Sequence, residues 1–287
     1  MRRLLVIVAS LAAMSASAAT LDWVGDFEEG SASIAGSSTS DFSKHIYDEG
    51  KAATVDVQSA SGMSICTAPR AGKYAGRARI LSGGSNLRVR AELIAHQPGK
   101  YNFAWDGPEY WLGYSFCLAQ WPKGSDVHSF LQVHAPNEIK GATCDFAGNA
   151  LSIVVVNDVA QVRVIDNPSG ISDGQGAFAN NKTVYSFPLR TTMGKWQDFA
   201  FKFRLSTQGT GYFGVWHNGK LVASGSGITN VNWRDSCGNP IDRRSSNGPH
   251  VGMYGGKNSA GPKTLYMDQV RIAVGSSGLG LVAPWVP

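Results

Sequence analysis

Little in this chain points to a helical protein, a membrane protein or a nucleic-acid binder. After the first residues, no stretch approaches the roughly 20 consecutive apolar residues of a transmembrane helix. No long segment places apolar residues at i, i+3, i+4 and i+7, so a helical bundle is excluded. Charged residues make up only 16% of the 287. The formal charge of +5 includes Arg2 and Arg3, and without them the excess falls to three. That suits an acidic ligand in a local cleft and gives no support to nucleic acid as a partner. No Pro- or Ser-rich linker divides the chain, and no internal repeat is visible. Only four cysteines are present. None forms a C-x-x-C pair, so zinc-type spacing is absent.

The first segment that is there concerns export. Met1-Arg-Arg3 is basic, Leu4 to Met14 is a short apolar run, and Ala16-Ser-Ala18 is a small-residue cleavage site. This is the layout of a secretory signal peptide over residues 1–18. The mature domain, 19–287, is expected to be secreted or periplasmic, a monomer, and without a membrane partner. An even cysteine count then suggests two disulfides. The expected pairs are Cys144 with Cys237, both in irregular polar segments, and Cys66 with Cys117, on neighbouring strands.

Short apolar and period-two runs dominate the rest. Leu87–Ile94, Tyr110–Leu118, Phe130–His134, Leu151–Val156, Ala160–Ile165, Trp196–Leu205, Gly211–Trp216, Lys220–Ala223, His250–Tyr254 and Thr264–Val274 all read as strands. At this density they predict an all-β single domain, an antiparallel sandwich or jelly roll. Between Trp216 and Lys220, Asn218-Gly219 fits a two-residue type I′ hairpin turn. Residues 167–182 and 229–248 read as long surface loops.

Three of the strands carry polar groups on one face. Alternation puts Arg88, Arg90 and Glu92 together, opposite Val89, Ala91 and Leu93. Guanidinium groups bind carboxylates in bidentate fashion, and Glu92 can orient an arginine. Gln132 and His134 repeat the pattern, as do His250, Gly252 and Tyr254. Gly252 leaves room for a ligand or another backbone to come close. Lys257 lies just beyond, and Trp105 and Trp233 are candidate sugar-stacking rings, with core packing as their ordinary alternative. The set offers cations, an amide, imidazoles and a phenol, the groups that neutralise a sugar carboxylate and move the proton beside it.

Arg90-Ala-Glu92, Gln132-Val-His134 and His250-Val-Gly-Met-Tyr254, in this order, resemble the three motif strands of the secreted β-jelly-roll polysaccharide lyases. That group includes glucuronan lyases, heparin lyase I and, more distantly, alginate lyases. The similarity runs from about Asp26 to Val274. One position departs: relatives such as heparin lyase I have lysine where this sequence has His250. The resemblance implies a concanavalin-like jelly roll and β-elimination at a uronic acid in an anionic polysaccharide. Its motifs place Tyr254, His134, Gln132 and Arg90 as the expected catalytic groups; Arg88, Glu92, His250, Lys257, Trp105 and Trp233 are the candidate substrate-binding residues. Either His134 or Tyr254 serves as base. No cofactor is required, and the resemblance allows a structural calcium, for which no ligand run is legible. Two rivals share the fold: a non-catalytic lectin-like module, which needs no acid and base at one point, and a β-sandwich hydrolase, for which the paired carboxylates are missing.

Overall fold

The computed structural model describes residues 18–30, 42–47, 53–81, 89–95, 102–124, 128–134, 149–165, 181–206, 208–226, 245–255 and 261–286. In chain order the strands are β1 (Thr20–Gly25), β2 (Phe42–Tyr47), β3 (Ala53–Ser59), β4 (Tyr74–Ile80), β5 (Arg90–Ala95) and β6 (Asn102–Ala104). There follow β7 (Tyr110–Gln120), β8 (His128–His134), β9 (Asn149–Val156), β10 (Val159–Ile165), β11 (Asn181–Pro188) and β12 (Trp196–Arg204). The last are β13 (Tyr212–His217), β14 (Lys220–Ser226), β15 (Ser245–Asn247), β16 (Pro249–Gly255) and β17 (Lys263–Val274). Among the described residues the one α-helix is α1 (Leu279–Val282).

These strands form two large antiparallel sheets. The first runs β14-β13-β12-β7-β17-β4-β3, with β1 also on β17, and the second runs β11-β10-β9-β8-β16-β5-β2. A small β15-β6 pair stands apart from both.

Side-chain alternation shows why they stack. On β7, Leu112, Tyr114, Phe116 and Leu118 enter the main core, joined on β12 by Phe199, Phe201 and Phe203. The second sheet answers with Ala91, Leu93, Leu131, Val133, Leu151, Ile153, Val162, Val164, Val251 and Met253. Burying each large apolar side chain contributes about 1.5–3 kcal/mol before entropy is counted. The architecture is therefore the expected β-jelly-roll sandwich.

The other face of β7 has separate tasks. Trp111 packs with Ala200, Ala273 and Val282, and Trp216 rests against this cluster. Gly113 is needed there, because a Cβ would collide with the Val282 carbonyl of α1. Cys117 bonds Cys66, with Cα atoms 6.1 Å apart. The expected pairing is found, but Cys66 lies in the irregular segment after β3, not on a neighbouring strand. Cys144 and Cys237 fall outside the described residues.

Other expectations are sharpened or corrected. The hairpin turn is as read: Asn218 and Gly219 have φ of 48° and 83°, and His217 pairs Lys220. The segment 229–248 is not loop throughout, since Ser245–Asn247 pairs with β6. Likewise β11 begins at Asn181, inside the region read as loop. β5 starts at Arg90, and Arg88 lies outside the described residues.

Candidate active site

The three motif strands, far apart in sequence, are neighbours in the second sheet, with β16 between β8 and β5. Register fixes which residues meet. Tyr254 is opposite Arg90, Gly252 opposite Glu92, and His250 opposite Ile94 on β5. On its other side His250 pairs Gln132, and Tyr254 pairs Ser129. Arg90, Glu92, Gln132, His250 and Tyr254 alternate with core residues, so they lie on the sheet face turned away from the first sheet. Glu92, Gln132 and His250 are nevertheless 0%, 2% and 2% exposed. Polar residues buried this deeply on an outward face are covered by neighbouring groups and must be paired.

Glu92 is the hub of this polar cluster. Gln132 donates Nε2–H to Glu92 Oε1 at 2.5 Å. Arg90 Nε is 3.2 Å from Glu92 Oε2, and His250 Nδ1 is 3.9 Å from the same oxygen. The last separation is too long for a hydrogen bond. Burial alone would push the Glu92 carboxyl up, but His250 first, then Arg90 and Gln132, hold it below the ordinary value. The carboxylate thus stays ionised and fixes the guanidinium, the amide and the imidazole in place.

Tyr254 is only half buried, and the Arg90 guanidinium lies 4.2 Å from its ring centroid. The cation is bracketed by the carboxylate below and the aromatic face beside it. This arrangement presents a fixed positive charge and a phenol on one surface.

The glycine of the third motif has a different reason from a ligand's approach. Gly252 has φ +134°, and a Cβ would strike the Ala91 carbonyl oxygen and come 2.8 Å from Glu92 Cα. It sits where the β16–β8 register slips between Val251 and Tyr254. What comes close is therefore the backbone of β5, the second of the two alternatives. The resulting bulge re-aims the strand between His250 and Tyr254.

Other candidates divide by position. His134 ends β8 opposite Asn149, and its side chain is outside the described residues. Lys257 and Trp233 are also outside them. Trp105 is 4% exposed and belongs to the main core. That corrects its reading as a sugar platform, because a ring so enclosed has no face to offer. Tyr114 was read only as part of a strand. It crosses the core from the first sheet and donates its hydroxyl to the Phe130 carbonyl at 3.1 Å. Burial, with Glu92 adding to it, raises its phenol well above 10. A tyrosine inside an otherwise apolar alternation was the available signal.

No group of three or more His, Cys, Asp or Glu among the described residues is arranged to hold a metal ion. The buried aspartates do not fit calcium either. Asp198 is engaged by the Arg70 guanidinium and the Ser115 hydroxyl, and Asp268 by the Arg70 and Ala71 backbone N–H groups.

Residues 35–271 match the family model described as polysaccharide lyase. The chain therefore belongs to the polysaccharide lyases and is a carbon–oxygen lyase acting on polysaccharides. Among solved structures, an endo-β-1,4-glucuronan lyase from the fungus Trichoderma reesei is similar over 93% of this chain and 100% of its own, at 18% identity and a TM-score of 0.63. The alginate lyase Aly36B is similar over 88% of this chain and 96% of its own, at 12% identity and a TM-score of 0.51. These two likenesses are of fold. No curated protein matches the chain by sequence.

Proposed function

We propose that this lyase cleaves a uronic-acid polysaccharide by β-elimination at the Arg90–Glu92–Gln132–His250–Tyr254 cluster. The observation that carries the reading is the Glu92 hub, which holds an arginine and an amide beside a phenol on one sheet face. The C5–H of a uronate is a very weak acid until its carboxylate charge is offset. Gln132 and Arg90 take that role. A base then removes the C5 proton, the electron pair forms the C4=C5 double bond, and the C4–O4 bond breaks as O4 receives a proton.

Tyr254 is the proton donor to O4. In a syn elimination its phenolate first takes the C5 proton, with Arg90 on the ring to stabilise that charge. In an anti elimination His134 acts as base from the opposite side. Glu92, with no exposed surface, orients rather than binds, and His250 supports it. The reaction needs no redox or organic cofactor. The Met1–Ala18 leader supports export, and no helix among the described residues is long and apolar enough to cross a membrane.

The likeness to a glucuronan lyase over its whole length puts β-1,4-glucuronan first among test polymers, ahead of alginate, heparin and pectate. The expected outcome is a rise in ultraviolet absorbance from the unsaturated sugar end on at least one of them. Binding to these polymers with no absorbance rise on any would replace the lyase assignment of this cluster by a lectin-like one.

A further inference from the structure

The polar row does not stop at the motif strands. Gln132 on β8 pairs Ser152 on β9, and Ser152 pairs Arg163 on β10. Leu151 and Ile153 flank Ser152 in the core, and Val162 and Val164 flank Arg163. Ser152 and Arg163 therefore share the outward face with Gln132. The two steps across the sheet place Arg163 about 9–10 Å from Gln132 along the line of strands.

Arg163 is held in an unusual way for a cation. Its Nε and one terminal nitrogen donate to Gln161 Oε1 at 3.0 and 2.7 Å. Thr183 Oγ1 reaches the same oxygen at 3.2 Å. Among the described residues it has no carboxylate partner. Burial shifts the guanidinium downward, and no anion among the described residues offsets it. A neutral amide thus fixes the orientation of a guanidinium and leaves its charge unanswered.

Ser152, between Arg163 and Gln132, gives an independent sign. Its hydroxyl is buried, at 1% exposure for the residue, and has no hydrogen-bond partner among the described residues. A buried hydroxyl left unpaired costs free energy, so such a group points to a ligand that supplies the missing bond.

We propose that Arg163, with Ser152, forms a carboxylate-binding subsite two sugar units from the uronate held at Gln132. The inference rests on the uronan reading given above. A 1,4-linked pyranose spans roughly one strand spacing of about 4.8 Å. An extended twofold chain turns its carboxylate to the same side every second unit, which matches two strand steps. Arg163 then pairs with that carboxylate in bidentate fashion, and Ser152 hydrogen-bonds the intervening sugar.

The test uses the mature enzyme on β-1,4-glucuronan oligomers of defined length. Arg163→Met is expected to raise KM about tenfold on long oligomers, with kcat within twofold, and the penalty should shrink on oligomers too short to reach β10. Arg163→Lys should recover part of the loss, since charge returns without the fork. Ser152→Ala should raise KM several-fold while leaving thermal stability equal or higher, an outcome a structural serine would not give. Binding in a Tyr254→Phe background, by calorimetry, should show the same length dependence. An active parent that Arg163→Met matches at every length overturns the subsite alone, as does an equal loss at all lengths. A parent that neither cleaves nor binds any uronan overturns the proposed function and the subsite with it.

Discussion

Glu92 and Gln132 are joined by a 2.5 Å hydrogen bond although their strands do not pair. β16 runs between β5 and β8; across it Glu92 faces Gly252 and Gln132 faces His250, so the bond crosses diagonally over the strand where Gly252 has no side chain. The site is thus assembled over the top of a strand, with a carboxylate on one side and its amide partner on the other. Both the chemistry and the local stability of the second sheet depend on that bridge.

Replacing Glu92 with Gln should therefore damage both. Arg90 and His250 would lose the buried charge they face, and breaking a buried ion pair typically costs about 3–5 kcal/mol. Denaturant unfolding at neutral pH should show a loss near the lower end of that range, with turnover reduced at least a hundredfold. The pH dependence gives a second check. The Glu92 carboxyl is held below its ordinary value, so its contribution is complete above the unfolded carboxylate range. It is lost as pH falls through the lowered folded value. The stability gap between the parent and Glu92→Gln should narrow in acid. A gap constant from pH 7 to pH 3 would mean that Glu92 is not the ionised hub.

Gly252→Ala tests the bulge. Its φ of +134° is strained for any L side chain, at about 1–3 kcal/mol, and the added methyl also meets the β5 backbone. We expect a fall in melting temperature of several degrees. Turnover should drop more than stability alone explains, because the bulge sets the distance between His250 and Tyr254. A variant with unchanged melting temperature would show that the turn tolerates a side chain.

A separate titration should appear far from the site. His217 stacks on Phe199 with ring centroids 4.3 Å apart and hydrogen-bonds Tyr185 and Gln197. Burial lowers its pKa to about 4, against a smaller upward pull from Asp198. The unfolded chain therefore binds this proton first. Stability should be full above about 6.5 and decline as pH falls toward 4. Water still reaches part of the ring, so the loss is discounted to about 1 kcal/mol. His217→Gln should flatten the curve between pH 6.5 and 4. An unchanged slope in that variant would assign the titration elsewhere.

The disulfide makes a fourth, purely energetic prediction. Cys66 and Cys117 are 51 residues apart, and closing a loop of that length stabilises by about 4 kcal/mol in the chain-entropy account. The bond also packs against Tyr266 and Trp196. The Cys66→Ser/Cys117→Ser double variant should unfold at markedly lower denaturant, with little change in KM, since the bond ties the segment after β3 to β7 of the first sheet. A large change in KM with stability intact would place the bond in the site's service instead.

What was readable in advance follows from the physics of each element. Long alternating strands such as β7, β12 and β17 were legible because their apolar faces repeat at period two. Strands β1 to β4 were not, since Thr20–Gly25 takes its place by pairing with β17 and Tyr74–Ile80 by pairing with β3 and β17. The motif residues Arg90, Gln132 and Tyr254 could be read as one polar face per strand. The hub role of Glu92 could not, because it arises from register across three strands. Trp105 was misassigned for a similar reason: an aromatic in a turn sequence gives no sign of the core that encloses it. Gly252 and Tyr114 show the same limit, as each owes its identity to a neighbouring strand or to the opposite sheet.

Tyr254 is the sharpest test of the chemistry. Its ring is half buried beneath the Arg90 guanidinium, so Tyr254→Phe removes one hydroxyl and keeps the stack. Stability should change little, with a melting temperature within about two degrees of the parent, the shift that a loss of at most about 1 kcal/mol produces in a domain of this size. Turnover should fall by about 10²–10⁴, the usual contribution of a positioned acid or base. KM should stay within a few-fold, since the carboxylate is held by Gln132 and Arg90. The pH profile adds the decisive detail. If Tyr254 is base as well as acid, parent activity rises with pH toward the tyrosine range. If His134 is the base, the rise is centred near the histidine range and disappears in His134→Gln. Near-parent turnover in Tyr254→Phe would remove the phenol from both routes and leave the Glu92 hub as a binding device alone.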